Sequence, residues 1–104
     1  MKYIILSILL FFIAQSAYAE EFEVGQKNKQ FTQQKMTIKK GDSVKFINED
    51  PFFHNVFSLS EVQSFDLGSY PKGEFKSVTF DKPGTVEVEC AIHPNMHMTI
   101  EVKE

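Results

Sequence analysis

Apolar and polar residues alternate in short bursts along most of this chain. Phe22 and Val24 alternate with glutamates over residues 21–24, and Met36 and Ile38 flank Thr37. Val44 and Phe46 share one face of 43–48, as do Val78 and Phe80 in 75–80. Val86, Val88 and Cys90 line one face of 85–90, and Ile100 and Val102 close the series in 99–103. A period of two puts one apolar face on a sheet, so each segment predicts a half-buried strand. The aromatic-rich run 52–57 predicts one more half-buried segment. Between these lie breaks. Residues 25–29 read as a polar turn, and 30–35 are polar apart from Phe31. Residues 39–42 read as a turn in which Gly41 can take a positive φ. The strand 43–48 stops at Glu49-Asp50-Pro51, because proline removes a ladder donor. Residues 81–84 turn by composition. The stretch 58–74 is the least regular: 60–63 can form one helical turn, while Gly68, Pro71 and Gly73 argue against anything longer. About seven short strands without a convincing helix predict an all-β fold. The architecture expected is a Greek-key sandwich or barrel of about seven to eight strands, packed face to face around one core.

The first nineteen residues stand outside this pattern. A short start containing Lys2 leads into an almost wholly apolar run, residues 4–14, followed by Ala17-Tyr18-Ala19. That run is too short to span a bilayer, and the small-x-small triplet is a cleavage signal. Residues 1–19 are therefore expected to be a signal peptide, and 20–104 a single domain placed in the periplasm. The 85-residue remainder allows an adequate but small core, burying roughly 60–65% of the unfolded surface. Without Lys2 it carries ten lysines against 14 acidic residues, a formal charge of −4, and there is no arginine. This balance argues against nucleic acid as a partner. Lone Cys90 cannot form an intramolecular disulfide. In an oxidising compartment a single thiol needs protection, and metal ligation supplies it.

The chemistry concentrates in residues 90–98, Cys-Ala-Ile-His-Pro-Asn-Met-His-Met. They hold the only cysteine, two of the three histidines and two of the four methionines. Thiolate, imidazole and thioether at C-x2-H-x2-M form a soft donor set that suits copper. Two imidazoles, one thiolate and a weak axial Met define a blue-copper site. The second imidazole must come from His54, 36 residues before the cysteine.

Two blocks of the chain resemble the cupredoxins, the small blue copper proteins, and within them the amicyanin, pseudoazurin and plastocyanin group. One block runs from Lys40-Gly41-Asp42 through Asn48 to His54-Asn55-Val56. The other runs from Phe75 through Pro83-Gly84-Thr85 and Cys90–Met96 to the last strand. The resemblance implies one copper ion per chain, cycling between Cu(I) and Cu(II), held by His54, Cys90, His93 and an axial methionine. It also implies that Asn55 ties the two ligand loops together and donates toward the sulfur. Met96 gives the shorter, amicyanin-like spacing and Met98 the plastocyanin-like one. In these relatives inward apolar residues follow the axial Met at four and six positions. Counting from Met96 reaches Ile100 and Val102, whereas counting from Met98 ends on Glu104, so Met96 is the expected ligand and Met98 the alternative. His93 is expected near solvent between Ile92, Pro94 and Asn95. Phe52 and Phe53 lie on the facing loop, and together these residues make an apolar docking patch.

The resulting expectation is a monomeric, soluble electron carrier and not an enzyme, since no open coordination position, base or nucleophile pair is evident. Its expected partners are redox proteins, a c-type cytochrome or a periplasmic dehydrogenase or oxidase, met by transient docking. A second reading, a copper carrier serving an oxidase or an efflux system, rests on the Met96-His97-Met98 trio. A structural zinc site on His54, Cys90 and His93 would lack a fourth strong donor.

Overall fold

A computed structural model describes residues 18–104, so all of the expected signal peptide except its last two residues lies outside the described residues. Nine strands follow in order: β1 (Glu21–Lys27), β2 (Gln30–Phe31), β3 (Lys35–Lys39), β4 (Ser43–Asn48), β5 (His54–Ser58), β6 (Phe65–Tyr70), β7 (Phe75–Thr79), β8 (Gly84–Glu89) and β9 (His97–Lys103). They form two sheets, ordered β2-β1-β4-β7 and β3-β9-β8-β5-β6. Most pairs are antiparallel, but β1 runs parallel to β4, and β3 parallel to β9. The all-β sandwich expected from the alternation is present, with nine strands where seven to eight were expected.

The two additional strands come from segments read as irregular. β1 extends through Gly25 and Gln26 to Lys27, and only Asn28 and Lys29 form the turn to β2. Both turn residues are left-handed, φ 56° and 58°, as a tight two-residue hairpin requires. The polar look of 25–29 misled because Gln26 is fully buried. Gly25 has a packing reason: a Cβ there would fall 1.9 Å from a Glu49 carboxylate oxygen and 2.9 Å from the Thr32 methyl. In the second segment no helical turn forms at 60–63; residues 65–70 make the edge strand β6. Its register against β5 shifts between Asn55 and Phe57, where β6 carries an extra residue. Gly68, at φ 74°, sits in that bulge. The bulge breaks the alternation, moving inward-facing positions from Phe65 and Leu67 to Tyr70, so a period of two is not visible in the sequence.

The core follows the alternation of the remaining strands. Val44 and Phe46, Val86 and Val88, and Met98, Ile100 and Val102 all face inward and are buried. Phe31 and Phe46 meet edge to face, with ring centroids 6.1 Å apart. Burial of each such side chain contributes about 1.5–3 kcal/mol. At one end Asp42 gathers the chain: its carboxylate accepts hydrogen bonds from the amides of Glu20 and Lys39. Gly41 has the positive φ its turn needs, 97°.

Toward the other end the core becomes polar. Tyr70 is buried, and its hydroxyl donates to Gln26 Oε1 at 2.5 Å, with the Phe46 carbonyl at 3.2 Å. Gln26 Nε2 has no protein partner. Asn48 Nδ2 donates to the carbonyls of Phe52 and Tyr70, closing the loop ahead of β5. Burial, reinforced by the negative charge of the nearby Cys90 thiolate, pushes the Tyr70 phenol above its ordinary value. The unfolded chain loses this proton near pH ~10, while the folded chain holds it to higher pH. Tyr70 therefore favours folding below pH ~10, and that contribution is lost as pH rises beyond it. Tyr70→Phe leaves both ends of the Gln26 amide unpartnered. Urea unfolding at pH 7 should show a loss of about 1–3 kcal/mol. The variant should also show a shallower decline in stability above pH ~10 than the wild type.

Candidate metal centre

Two loops converge at one end of the sandwich. The first follows β4 and delivers His54 as the opening residue of β5. The second follows β8, which ends at Glu89, so Cys90 is the first residue beyond the strand and keeps its inward parity. His54 is fully buried, Cys90 is 1% exposed, and His93 lies at the surface boundary. One donor atom from each of His54, Cys90 and His93 lies within 4.8 Å of the other two. Cys90 Sγ is 3.8 Å from His54 Nδ1 and 3.9 Å from His93 Nδ1. The two rings sit 4.9 Å apart. Two imidazole nitrogens and a sulfur facing one point, one of them shielded from water on every side, form a soft trigonal set. Copper fits such a set better than a hard cation would.

Met96, His97 and Met98, which follow on the second loop, take different positions. Met96 is fully buried in the turn after His93, and its amide donates to the His93 carbonyl at 2.9 Å. Met98 is equally buried but lies within β9, opposite Val88, in line with Ile100 and Val102. His97, between them, points outward and pairs with Glu87 through Nε2 and Oε2. Strand alternation thus separates the Met96-His97-Met98 trio onto two faces. Among the described residues His54, Cys90 and His93 are the one grouping of three His, Cys, Asp or Glu donors.

Asn55 bridges the two loops. Its Oδ1 accepts a hydrogen bond from the Ala91 amide at 2.7 Å, and its own amide points at Cys90 Sγ from 3.5 Å. Its Nδ2 donates to Asp66 Oδ1 on β6. Phe52 packs against both rings, 5.3 Å from His54 and 5.1 Å from His93. Outside, Phe53 and Ile92 are about half exposed, at 54% and 47%, and Pro94 is exposed. A cleft of about 340 Å³ opens beside His93, between Asn28, Lys29 and Gln30 on one side and residues 92–95 on the other. Desolvation, then the neighbouring His54 ring and the Lys29 ammonium, hold His93 below the ordinary imidazole value despite an opposing pull from Asp50. The neutral ring is the form a metal requires.

One buried group escaped the sequence reading. Asp50, taken there only as part of a strand stop, is 4% exposed. Its Oδ2 accepts from His54 Nε2 at 2.7 Å and from the Lys29 amide at 3.0 Å, and its Oδ1 from the Asn28 amide at 2.8 Å. Burial alone would raise its carboxyl. The Lys29 amide, the His54 side chain and the Asn28 amide outweigh that effect and leave it below the ordinary carboxylate value. The only signal in the sequence is an acid four residues ahead of a candidate ligand, too common to select.

Comparison with known proteins agrees with this geometry. The chain matches the plastocyanin/azurin family of copper-binding proteins over residues 18–103. The methylamine utilization protein MauL of Methylorubrum extorquens is 30% identical over 90 residues, covering 86% of this chain and 79% of the relative. A reduced single-site variant of amicyanin is similar in structure, with a TM-score of 0.75 at 26% identity. That similarity covers 80% of this chain and 82% of the amicyanin. A copper-containing nitrite reductase from Thermus scotoductus also reaches a TM-score of 0.75, at 28% identity over 81% of this chain, but this chain spans only 22% of that enzyme. The family match runs through both ligand loops, and on it this chain belongs to the plastocyanin/azurin family of copper-binding proteins: it is a cupredoxin, with copper as its cofactor and electron transfer as its work.

Proposed function

We propose that this chain is a soluble periplasmic carrier of single electrons, with copper held by His54 Nδ1, Cys90 Sγ and His93 Nδ1 and by Met96 as the weak axial donor. The observation that carries this reading is the convergence of three soft donors within 4.8 Å at a dry end of the sandwich. Bound there, copper supplies a one-electron Cu(II)/Cu(I) couple. The protein's part is to keep the donors fixed and to keep water out. His54, Cys90 and Met96 are closed off from solvent. The Asn55 bridge to Ala91 holds the two loops at one separation, so the donors need to move little when the charge changes.

His93 gives the electron a way out. Its ring reaches the surface among Ile92, Pro94, Phe52 and Phe53, a small apolar patch suited to brief encounters with redox proteins. A c-type cytochrome and a periplasmic dehydrogenase or oxidase are the partner classes this reading expects. The relative's name, a methylamine utilization protein, supports an amine-oxidising system as the donor side. Residues 1–19 serve in this reading as the signal peptide that delivers a monomeric domain, 20–104, to the periplasm. Among the described residues no helix is long and apolar enough to cross a membrane. In this reading residues 20–104 are a carrier and not an enzyme: His54, Cys90 and Met96 are buried, and of the four donors His93 alone meets the surface. The copper-delivery alternative drew on the Met96-His97-Met98 trio; the pairing of His97 with Glu87 and the burial of Met98 in the core favour the electron carrier over it.

Oxidised, copper-loaded protein should be intensely blue from thiolate-to-copper charge transfer, and Cys90→Ser should abolish the colour; a colourless Cu(II) wild type refutes the reading. Met96→Leu should alter the blue spectrum and the midpoint potential. Met98→Leu, a volume-conserving swap in the core, should leave both unchanged and cost under about 1.5 kcal/mol in unfolding. A spectrum that responds to Met98 instead would reverse the axial assignment. Asn55→Ala should destabilise the protein by about 1–3 kcal/mol in urea unfolding, because the Ala91 amide loses its partner.

A further inference from the structure

The carboxylate of Asp50 lies behind the buried histidine, on the side away from the sulfur. His54 presents Nδ1 to Cys90 and Nε2 to Asp50, at 3.8 Å and 2.7 Å. An anionic carboxylate accepts and does not donate. The proton between them therefore sits on Nε2, and Nδ1 is the nitrogen turned toward the sulfur. A histidine tautomer is set by the hydrogen bond its other nitrogen makes.

The carboxylate is itself held in place. The amides of Asn28 and Lys29, made adjacent donors by their left-handed turn, reach its two oxygens at 2.8 Å and 3.0 Å. The Asp50 amide donates to Asn48 Oδ1 at 2.8 Å, fixing the backbone beneath. Asn28 and Lys29 are exposed residues whose amides water could satisfy. A clamp on the turn alone would not require a buried anion, which is costly to desolvate. The remaining group the carboxylate bonds is the fully buried imidazole, whose Nε2–H needs an acceptor.

We propose that Asp50 is the positioning residue of the copper site. It fixes His54 in the Nε2-protonated tautomer and, as a buried negative charge beside a ligand, biases the site toward Cu(II). The inference rests on the ligand assignment proposed above. Its physical basis is simple: a fixed anion in a dry region opposes the arrival of an electron, and a hydrogen-bonded carboxylate makes the imidazole a stronger donor. The turn of β1 and β2 therefore reaches the buried ligand through one side chain, although it belongs to the other sheet.

Two measurements test this. Asp50→Asn keeps the shape and removes the charge. The blue colour should persist, and Cu(II) affinity should fall about 10–100-fold relative to Cu(I). At one electron per tenfold change, that raises the midpoint potential by about 59–118 mV. A folded, blue Asp50→Asn protein with the wild-type potential overturns the proposal. The second measurement needs no variant and no copper. Nitrogen-15 NMR of the metal-free wild type, recorded at a pH where the His54 ring is neutral, should show its proton on Nε2 and none on Nδ1; the opposite tautomer overturns the proposal. A wild type that binds no blue copper but shows the Nε2 tautomer refutes the ligand reading and leaves the positioning of His54 standing.

Discussion

The site depends on holding together two loops that the sheet barely joins. β5 and β8, which carry His54 and lead to Cys90, share a single registered pair, Phe57 with Glu89. Beyond that pair the strands diverge, and the donors lie in the gap. The Asn55 side chain spans it, accepting from the Ala91 amide while its own backbone amide faces the sulfur. A gap of this kind is useful for a metal, because continuous pairing would fill the space with ladder hydrogen bonds. It is also costly, because each backbone group that leaves the ladder needs another partner. Asn55 and Asn48 meet much of that need, Asn48 by bonding the carbonyls of Phe52 and Tyr70.

The sandwich extends this logic over long distances in sequence. Parallel pairing of β1 with β4 and of β3 with β9 cannot be made by hairpins, so these contacts join the beginning of the domain to its middle and its end. The parallel β3–β9 ladder places Ile100 opposite Met36 and Val102 opposite Ile38. This anchors the strand that immediately follows the ligand loop. The register of the last strand therefore fixes how much chain remains between Cys90 and the core, and hence which methionine lies in the loop.

The alternating strands were legible because burial on one face writes a period of two into the residues. That was enough to find β3, β4, β8 and β9 within a residue or two at most ends. Residues two apart share parity, so the preference for Met96 over Met98 rests on the spacing to the last strand that the family resemblance implies. The donors were legible because cysteine, histidine and methionine are scarce here, so their coincidence within nine residues stands out. β6 was hidden by its edge position, its half-exposed faces and the bulge at Gly68, each of which erodes alternation. Gln26 and Asp50 were hidden for a different reason. They are polar residues buried by tertiary contacts, and nothing local distinguishes them from Gln30 or Glu49, which are exposed.

Those two hidden residues point to a division within the domain. Below the site the interior is apolar and could tolerate a range of volume-matched substitutions. Around the site it is a hydrogen-bonded layer of Gln26, Asn48, Asp50, Asn55 and Tyr70, where partners and not volumes decide which residue fits. A buried polar layer is stable only when its members are paired, and here most pairs cross between elements: β1 to β6, β4 to the loop before β5, and β5 to the loop after β8. The bonds that satisfy this layer are thus the same bonds that set the spacing of the donors. Site geometry and fold stability are therefore coupled at this end of the sandwich and nearly independent at the other.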